Sequence, residues 1–108
     1  MRKWYSANYA NTKKVLFLGL GDSYDWNLKN FPKAKDIVIL QPQSAGVDMC
    51  VLAQCHHTIM SVGTMGWWSA FLTGGRTYYQ RAYAKPGTDL AKRRFKPLEY
   101  YFPNWIGL

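Results

Sequence analysis

Acidic residues are scarce in this 108-residue chain, which has 6 Asp and Glu against 14 Lys and Arg. The resulting formal charge of +8 favours polyanions or phosphorylated ligands as partners, without choosing between them. No acidic residue lies between Asp48 and Asp89. A phosphate bound in that region would therefore meet no carboxylate that repels it.

Long apolar runs are also lacking. No run approaches the ~20 residues that span a bilayer, and the first residues, MRKWYSANYANTKK, lack the apolar segment of a secretory signal. The sequence therefore predicts no membrane contact by this segment and no export signal of its own. Its 48% hydrophobic and 17% aromatic content indicates a folded chain of one domain at most.

Cysteine is rare, with Cys50 and Cys55 as the only two. Both are predicted to be buried free thiols, since free cysteine packs like a small hydrophobic residue. Together with His56 and His57 they lack the spacing of a zinc site. A structural role is therefore expected for the two histidines.

Short apolar segments alternate with helical patterns along the chain. The predicted strands are 15–19, 36–40, 57–62 and 76–83, and the predicted helices are 1–10, 23–31, 47–55 and 65–73. This order is typical of right-handed βαβ units, so we expect an α/β fold in which helices cover a parallel sheet. The length corresponds to about half to two-thirds of a doubly wound domain, and 84–108 reads as an extended tail.

The segment after the third predicted strand is the strongest candidate for a binding site, because ligands of open parallel sheets bind beyond the carboxyl ends of the strands. Gly63 and Gly66 allow close backbone approach, and free amides at a helix N-terminus favour phosphate oxygens. Ser61 and Thr64 add hydroxyl donors. The alternative is an ordinary capped helix whose tryptophans serve only packing.

Four other residues have both a functional and a structural interpretation. Asp22 could accept a hydrogen bond from a ribose or cap a helix, and Asp48 could accept from a guanine or favour the first turn of its helix. Arg76 and Arg81 could face a phosphate or be solvated. The stretch GLGDSY does not make a dinucleotide fingerprint, because Tyr24 stands where the third glycine belongs.

The stretch DMCVLAQCHHTIMSVGTMGWWSAFLTGG, residues 48–75, resembles the C-terminal motif region of the galactoside α-1,2-fucosyltransferases, glycosyltransferase family 11. The closing segment FKPLEYYFPNWIGL (95–108) and the upstream segment VLFLGLGDSYDW (15–26) are similar to that family too. The resemblance therefore covers nearly the whole chain.

This resemblance implies transfer of L-fucose from GDP-fucose to the 2-hydroxyl of a galactose-terminated glycan, with inversion, without metal and without a further cofactor. It implies a GT-B fold, in which 1–108 would be the GDP-fucose-binding C-terminal lobe, a partial Rossmann-like lobe. It also implies the lumenal side of the Golgi membrane for a full-length member. No nucleic acid partner is expected; the alternative is a basic nucleic-acid-binding module that uses tail arginines and exposed aromatics.

The family motifs also suggest donor-binding residues. Asp48 matches the acid near the guanosine, while Asp22 matches the first aspartate of a strand-end pair whose second member is replaced by Ser23. The turn and helix start that cradle the pyrophosphate correspond to Ser61, Gly63, Thr64, Met65 and Gly66. We expect Trp68, Phe71 and Leu72 to hold the following helix on the sheet.

One family motif is missing. The basic His-x-Arg-Arg-x-Asp segment, whose arginine contacts the donor phosphate in the family, is absent, because the pair Arg93–Arg94 has no histidine before it. No catalytic base is assigned. The chain is therefore expected to be a fragment that is inactive by itself.

Overall fold

A computed structural model describes residues 14–81, 87–89 and 96–108. The chain divides into two compact units, with the boundary between Ser44 and Ala45. The strands correspondingly belong to two sheets, whereas the sequence analysis expected one domain around one sheet. The helix predicted over 1–10 lies outside the described residues.

The first unit contains one strand–helix–strand segment. Its elements are β1 (Phe17–Gly19), α1 (Tyr24–Asn30) and β2 (Ile37–Ile39). The two strands pair in parallel, with Phe17 opposite Ile37 and Gly19 opposite Ile39. This arrangement confirms the first predicted βαβ alternation.

Local signals set both ends of α1. The Ser23 hydroxyl is the N-cap and accepts a hydrogen bond from the Trp26 N–H at 3.4 Å. The helix ends at Asn30, and Phe31 adopts the extended backbone that a following proline favours. Both ends were predicted from the sequence.

The second unit is built around a parallel sheet of three strands in the order β3–β4–β5. Its elements are α2 (Ala45–Ala53), β3 (Thr58–Met60), α3 (Thr64–Thr73), β4 (Thr77–Tyr79), α4 (Pro97–Tyr100) and β5 (Ile106–Gly107). All three residues of the central strand β4 are buried. The fold class is therefore α/β with parallel strands, as expected, although each strand is shorter than predicted.

The C-terminal residues are more regular than the expected extended tail. Residues 96–108 contain the one-turn helix α4 and the strand β5, which pairs with β4 through Tyr78–Ile106 and Tyr79–Gly107. The Leu108 N–H donates to the Tyr79 carbonyl oxygen at 2.9 Å and extends this pairing. The segment 106–108 thus adds a third strand to the sheet of the second unit.

The core of the second unit lies between the sheet and α3. It consists of the buried side chains of Met60, Ala70, Tyr79 and Tyr101, against which Trp67, Tyr100 and Trp105 pack. The Tyr79 and Tyr101 rings stack with their centroids 3.8 Å apart. Aromatic packing therefore joins strand, helix and C-terminal segment.

Trp67 packs α3 against this core. Its indole N–H donates to the Tyr100 carbonyl oxygen at 2.8 Å, and its ring packs near Trp105 with centroids 5.5 Å apart. The prediction that Trp68, Phe71 and Leu72 hold the helix is wrong, because these side chains are 49%, 48% and 54% exposed. The inward face of α3 is instead the one that carries Trp67 and Ala70, three residues apart.

The inward face of α2 also differs from expectation. The four-residue spacing of Val47 and Val51 correctly predicted a helix, yet both side chains are exposed, and Asp48 is the buried one. Cys50 and Cys55 are free thiols as predicted, but Cys50 is exposed. In this helix the spacing revealed the conformation without revealing which side packs.

Candidate functional site

The turn between β3 and α3, residues 61–66, is the predicted anion site. Gly63 is the N-cap of α3 and has φ +113°, a conformation that side chains rarely adopt. No side chain caps this helix, and the first intrahelical bond runs from the Trp67 N–H to the Gly63 carbonyl oxygen at 3.3 Å. The cap residue contributes no side-chain acceptor, so the first N–H groups of α3 have no side-chain partner at the cap. The packing role that the alternative interpretation gives to the tryptophans holds for Trp67, which packs against the core.

The polar side chains of this turn face outward. Ser61 and Thr64 are exposed, and the Ser61 hydroxyl makes only a long contact of 3.5 Å to the neighbouring Val62 carbonyl oxygen. A ligand could therefore recruit both hydroxyls without breaking a strong bond within the chain.

Gly66 and Met65 have roles inside the chain. A Cβ at Gly66 would lie 3.4 Å from the Cβ of Met60, so the glycine lets α3 lie close to β3. The Met65 carbonyl oxygen accepts from the buried Ser69 hydroxyl at 2.8 Å. Among the five residues predicted at this turn, these two help to position the helix start.

Asp48 belongs to the same unit, in the first turn of α2. It is 8% exposed and interacts with another group of the chain. Thr73 Oγ1 lies 3.0 Å from the Leu52 carbonyl oxygen, which joins the C-terminal ends of α2 and α3. Because α2 leads into β3 and α3 leaves it, both helices begin toward the carboxyl end of that strand.

Asp22 belongs to the first unit, whereas the other predicted site residues belong to the second. It is exposed in the turn after β1, and the neighbouring Ser23 caps α1. The structural alternative, that Asp22 caps this helix, is therefore wrong. Asp48 and the 61–66 turn belong to the same unit.

His57 has the structural role that the sequence predicted. Its Nδ1 accepts a hydrogen bond from the Arg76 backbone N–H at 3.0 Å. Burial, followed by the charges of Arg76 and His56, lowers the pKa of His57 below its ordinary value. The neutral imidazole is therefore the favoured form.

The remaining candidates for metal binding or nucleophilic chemistry are weak. Burial raises the pKa of the Cys55 thiol, which disfavours the reactive thiolate. Within 14–81, 87–89 and 96–108, no three His, Cys, Asp or Glu side chains form a group that could hold a metal ion.

Two glycines that sequence reasoning did not single out as packing residues make the closest approaches in this unit. A Cβ at Gly75 would lie 1.7 Å from the His56 carbonyl oxygen, and one at Gly107 would lie 2.8 Å from Arg81 Nε. The sequence gives no local signal for either contact, since each partner is more than fifteen residues away.

Residues 3–108 match the family described as Glycosyl transferase family 11. The chain belongs to this family. The resemblance based on residues 48–75 is thereby confirmed, and the turn and helix start described above are those of a family 11 glycosyltransferase chain.

Curated relatives of this family 11 chain are named galactoside alpha-(1,2)-fucosyltransferase 1. The Rattus norvegicus protein is 32% identical over 109 residues, which cover 97% of this chain and 28% of the relative. Those of Aotus azarae and Sus scrofa are 33% and 32% identical, with 29% of each relative covered. The chain thus spans less than a third of the length of the relatives it matches.

The structural comparison adds no neighbour, because no solved structure matches this family 11 chain. In the part of the chain that the structure describes, no helix has the length and apolar character needed to cross a membrane.

Proposed function

We propose that this family 11 chain supplies the GDP-fucose-binding part of a galactoside α-1,2-fucosyltransferase, which transfers L-fucose to the 2-hydroxyl of a galactose-terminated glycan. The observation that carries the proposal is the N-terminus of α3 at Gly63, which no side chain caps and which follows the carboxyl end of β3. No charged side chain occurs between Asp48 and Arg76. Backbone amides in such a segment suit a diphosphate.

The chemistry of fucosyl transfer explains why such a site is useful. When the bond between fucose and GDP breaks, negative charge builds on the leaving diphosphate, and fixed N–H groups stabilise that charge in the transition state. In this proposal the transfer inverts the anomeric centre and uses neither a metal nor another cofactor. The residue that removes the proton from the galactose hydroxyl is not assigned to this chain.

Further assignments in this proposal rest on the family resemblance. Asp48 contacts the guanosine, and the assignment of Asp22 as a donor-binding residue comes from the resemblance alone. The full-length protein has a GT-B fold and acts on the lumenal side of the Golgi membrane. In this proposal the role of the chain is to bind the donor.

A titration of the ¹⁵N-labelled chain with GDP tests the donor site. We expect the amide resonances of residues 61–66 to shift, and the variant Thr64→Glu to abolish these shifts. A glutamate there occupies the first turn of α3, where a carboxylate favours the helix but repels a phosphate. Loss of binding would therefore be separated from loss of folding.

The variant Gln54→Glu is the matched control, because it adds the same charge at an exposed position just after the C-terminal end of α2. It should retain the GDP affinity of the parent chain. Unchanged GDP affinity in folded Thr64→Glu protein would contradict the pyrophosphate assignment.

The nucleic-acid-binding alternative makes a different prediction for the same chain. Its tail arginines, Arg93 and Arg94, lie outside the described residues. Binding of single-stranded RNA that weakens steeply with salt and is unaffected by GDP would support that alternative.

A further inference from the structure

We propose that Arg81 binds a phosphate group of the donor, as the cationic side chain at the edge of the sheet where α3 begins. This inference rests on the proposed function, because it places a second ligand for the same diphosphate. Arginine suits this role, since its planar guanidinium binds phosphate oxygens through two parallel hydrogen bonds.

The register of the sheet places Arg81 at the correct edge. Met60 of β3 pairs with Tyr79 of β4, so Arg81 follows β4 at the level where Val62 follows β3. Its backbone N–H donates to the Leu108 carbonyl oxygen at 3.0 Å, so the pairing of β4 with the C-terminal segment continues to this point. Adjacent strands lie about 4.8 Å apart, so we infer from this register that Arg81 is a neighbour of the 61–66 turn.

The side chain of Arg81 also lies on the favourable face of the sheet. Residues two apart on a strand share a face, and Tyr79 belongs to the core that α3 covers. A Cβ built on Gly107 would lie 2.8 Å from Arg81 Nε and 2.9 Å from the Tyr79 hydroxyl oxygen. The side chains of Arg81 and Tyr79 therefore both lie against Gly107, on the face of the sheet that α3 covers.

Among the residues that the structure describes, the other cationic side chains of this unit are less suitable as phosphate ligands. Lys96 Nζ lies 2.8 Å from Glu99 Oε1 and is engaged in that ion pair. Arg76 precedes β4, so it stands at the opposite edge, where its backbone N–H bonds to His57. Arg81 is exposed, and no carboxylate of the described residues pairs with it.

Charge-matched variants at the two ends of β4 test this role. Arg81→Gln and Arg76→Gln each remove one positive charge, and GDP affinity is measured for both by isothermal titration calorimetry on the whole chain. We expect Arg81→Gln to weaken GDP binding about tenfold, the worth of one hydrogen bond to a charged group. Arg76→Gln should stay within about twofold, since an exposed charge at the far edge is screened.

Two further measurements identify the kind of contact. Arg81→Lys should bind GDP with intermediate affinity, because it keeps the charge and loses the planar fork. A parallel titration with guanosine should show no difference between the parent and Arg81→Gln, since guanosine carries no phosphate. Unequal guanosine binding would overturn the phosphate contact.

The outcomes separate this inference from the proposed function. If the parent chain binds GDP and Arg81→Gln binds it equally well, the role of Arg81 is overturned and the donor site stands. Equal losses in Arg81→Gln and Arg76→Gln would also overturn it, by showing a diffuse charge effect. A parent chain that does not bind GDP overturns the donor site, and the role of Arg81 with it.

Discussion

At the scale of single residues, the close junction between His56 and Gly75 depends most directly on side-chain size. A Cβ at Gly75 would lie 1.7 Å from the His56 carbonyl oxygen and 2.9 Å from His57 Nδ1. Adjacent to it, the Arg76 N–H bonds to His57, and the Thr58 N–H bonds to the Arg76 carbonyl oxygen at 2.9 Å. Glycine is therefore required for the start of both strands to meet.

The variant Gly75→Ala is expected to lower the free energy of unfolding by about 3 kcal/mol, as overpacking against backbone does. The added methyl group would force the two segments apart and break the bonds at Arg76. Urea unfolding followed by circular dichroism measures the change. Gly46→Ala is the control, because nothing lies within 4 Å of its added Cβ and alanine suits a helix.

Gly46→Ala should leave stability unchanged or raise it by up to about 1 kcal/mol. Equal destabilisation by Gly75→Ala and Gly46→Ala would contradict the proposed close approach, since only the first position is crowded in the structure.

At the scale of elements, α3 shows how adjacent residues of one type come to differ. Trp67 contacts the core and donates to the Tyr100 carbonyl oxygen, whereas Trp68 is 49% exposed. Successive residues on a helix point about 100° apart, so only one of two neighbours can face the sheet. Trp67 is therefore expected to contribute more to the free energy of unfolding than Trp68.

Truncation of each tryptophan tests this division. Trp67→Ala should destabilise the chain by about 3 kcal/mol, through the lost packing, the cavity and the loss of the hydrogen bond to the Tyr100 carbonyl oxygen. Trp68→Ala should cost about 1 kcal/mol, because half of its surface is already in water. Thermal and urea unfolding compare the two variants, and a larger loss for Trp68→Ala would reverse the inward and outward faces of α3.

At the scale of the whole molecule, the excess of positive charge makes stability sensitive to pH. The chain carries a formal charge of +8 with both histidines neutral, and protonation of His57 would add charge where the Arg76 N–H needs an acceptor. The pKa of His57 is lowered in the folded chain. The unfolded chain therefore binds this proton more tightly than the folded chain does.

The sign of the pH effect follows from this difference. The contribution of His57 is fully present above its ordinary value of 6.5 and is lost as the pH falls through its lowered folded value. We expect the urea midpoint to drop between about pH 8 and about pH 5. His57→Asn should drop less, since its side-chain oxygen can accept the same bond without titrating.

His56→Asn controls for the general effect of removing a histidine from this region. It should keep most of the pH dependence of the parent chain, because burial is the largest cause of the lowered pKa of His57 and the charge of His56 is the smallest. Identical pH profiles for the parent and His57→Asn would show that the bond to the Arg76 N–H carries no pH-dependent stability.

The elements of the fold that depend only on a few neighbouring residues could be predicted from the sequence. Apolar runs bounded by glycine or proline predicted the strands β1 to β4. Ser23 predicted the start of α1, and Gly74 predicted the end of α3, where the structure gives it φ +69°. The motif in 48–75 was specific enough to predict the family. The same motif supplied the 61–66 turn and Asp48 as candidate site residues.

Tertiary structure alone decided which surfaces and distant segments meet. The spacing of apolar residues predicted that α2 and α3 are helices, but Val47 and Trp68 are exposed. The inward face of a helix is defined only by what packs against it. The pairing of β5 with β4, the fit of Gly75 against His56 and the position of Arg81 over Gly107 join segments far apart in sequence. The sequence by itself determined the family, the α/β alternation and the turn at Gly63, since each depends on neighbouring residues. The packing faces and the cation at the edge of the sheet depend on distances that exist only after the chain has folded.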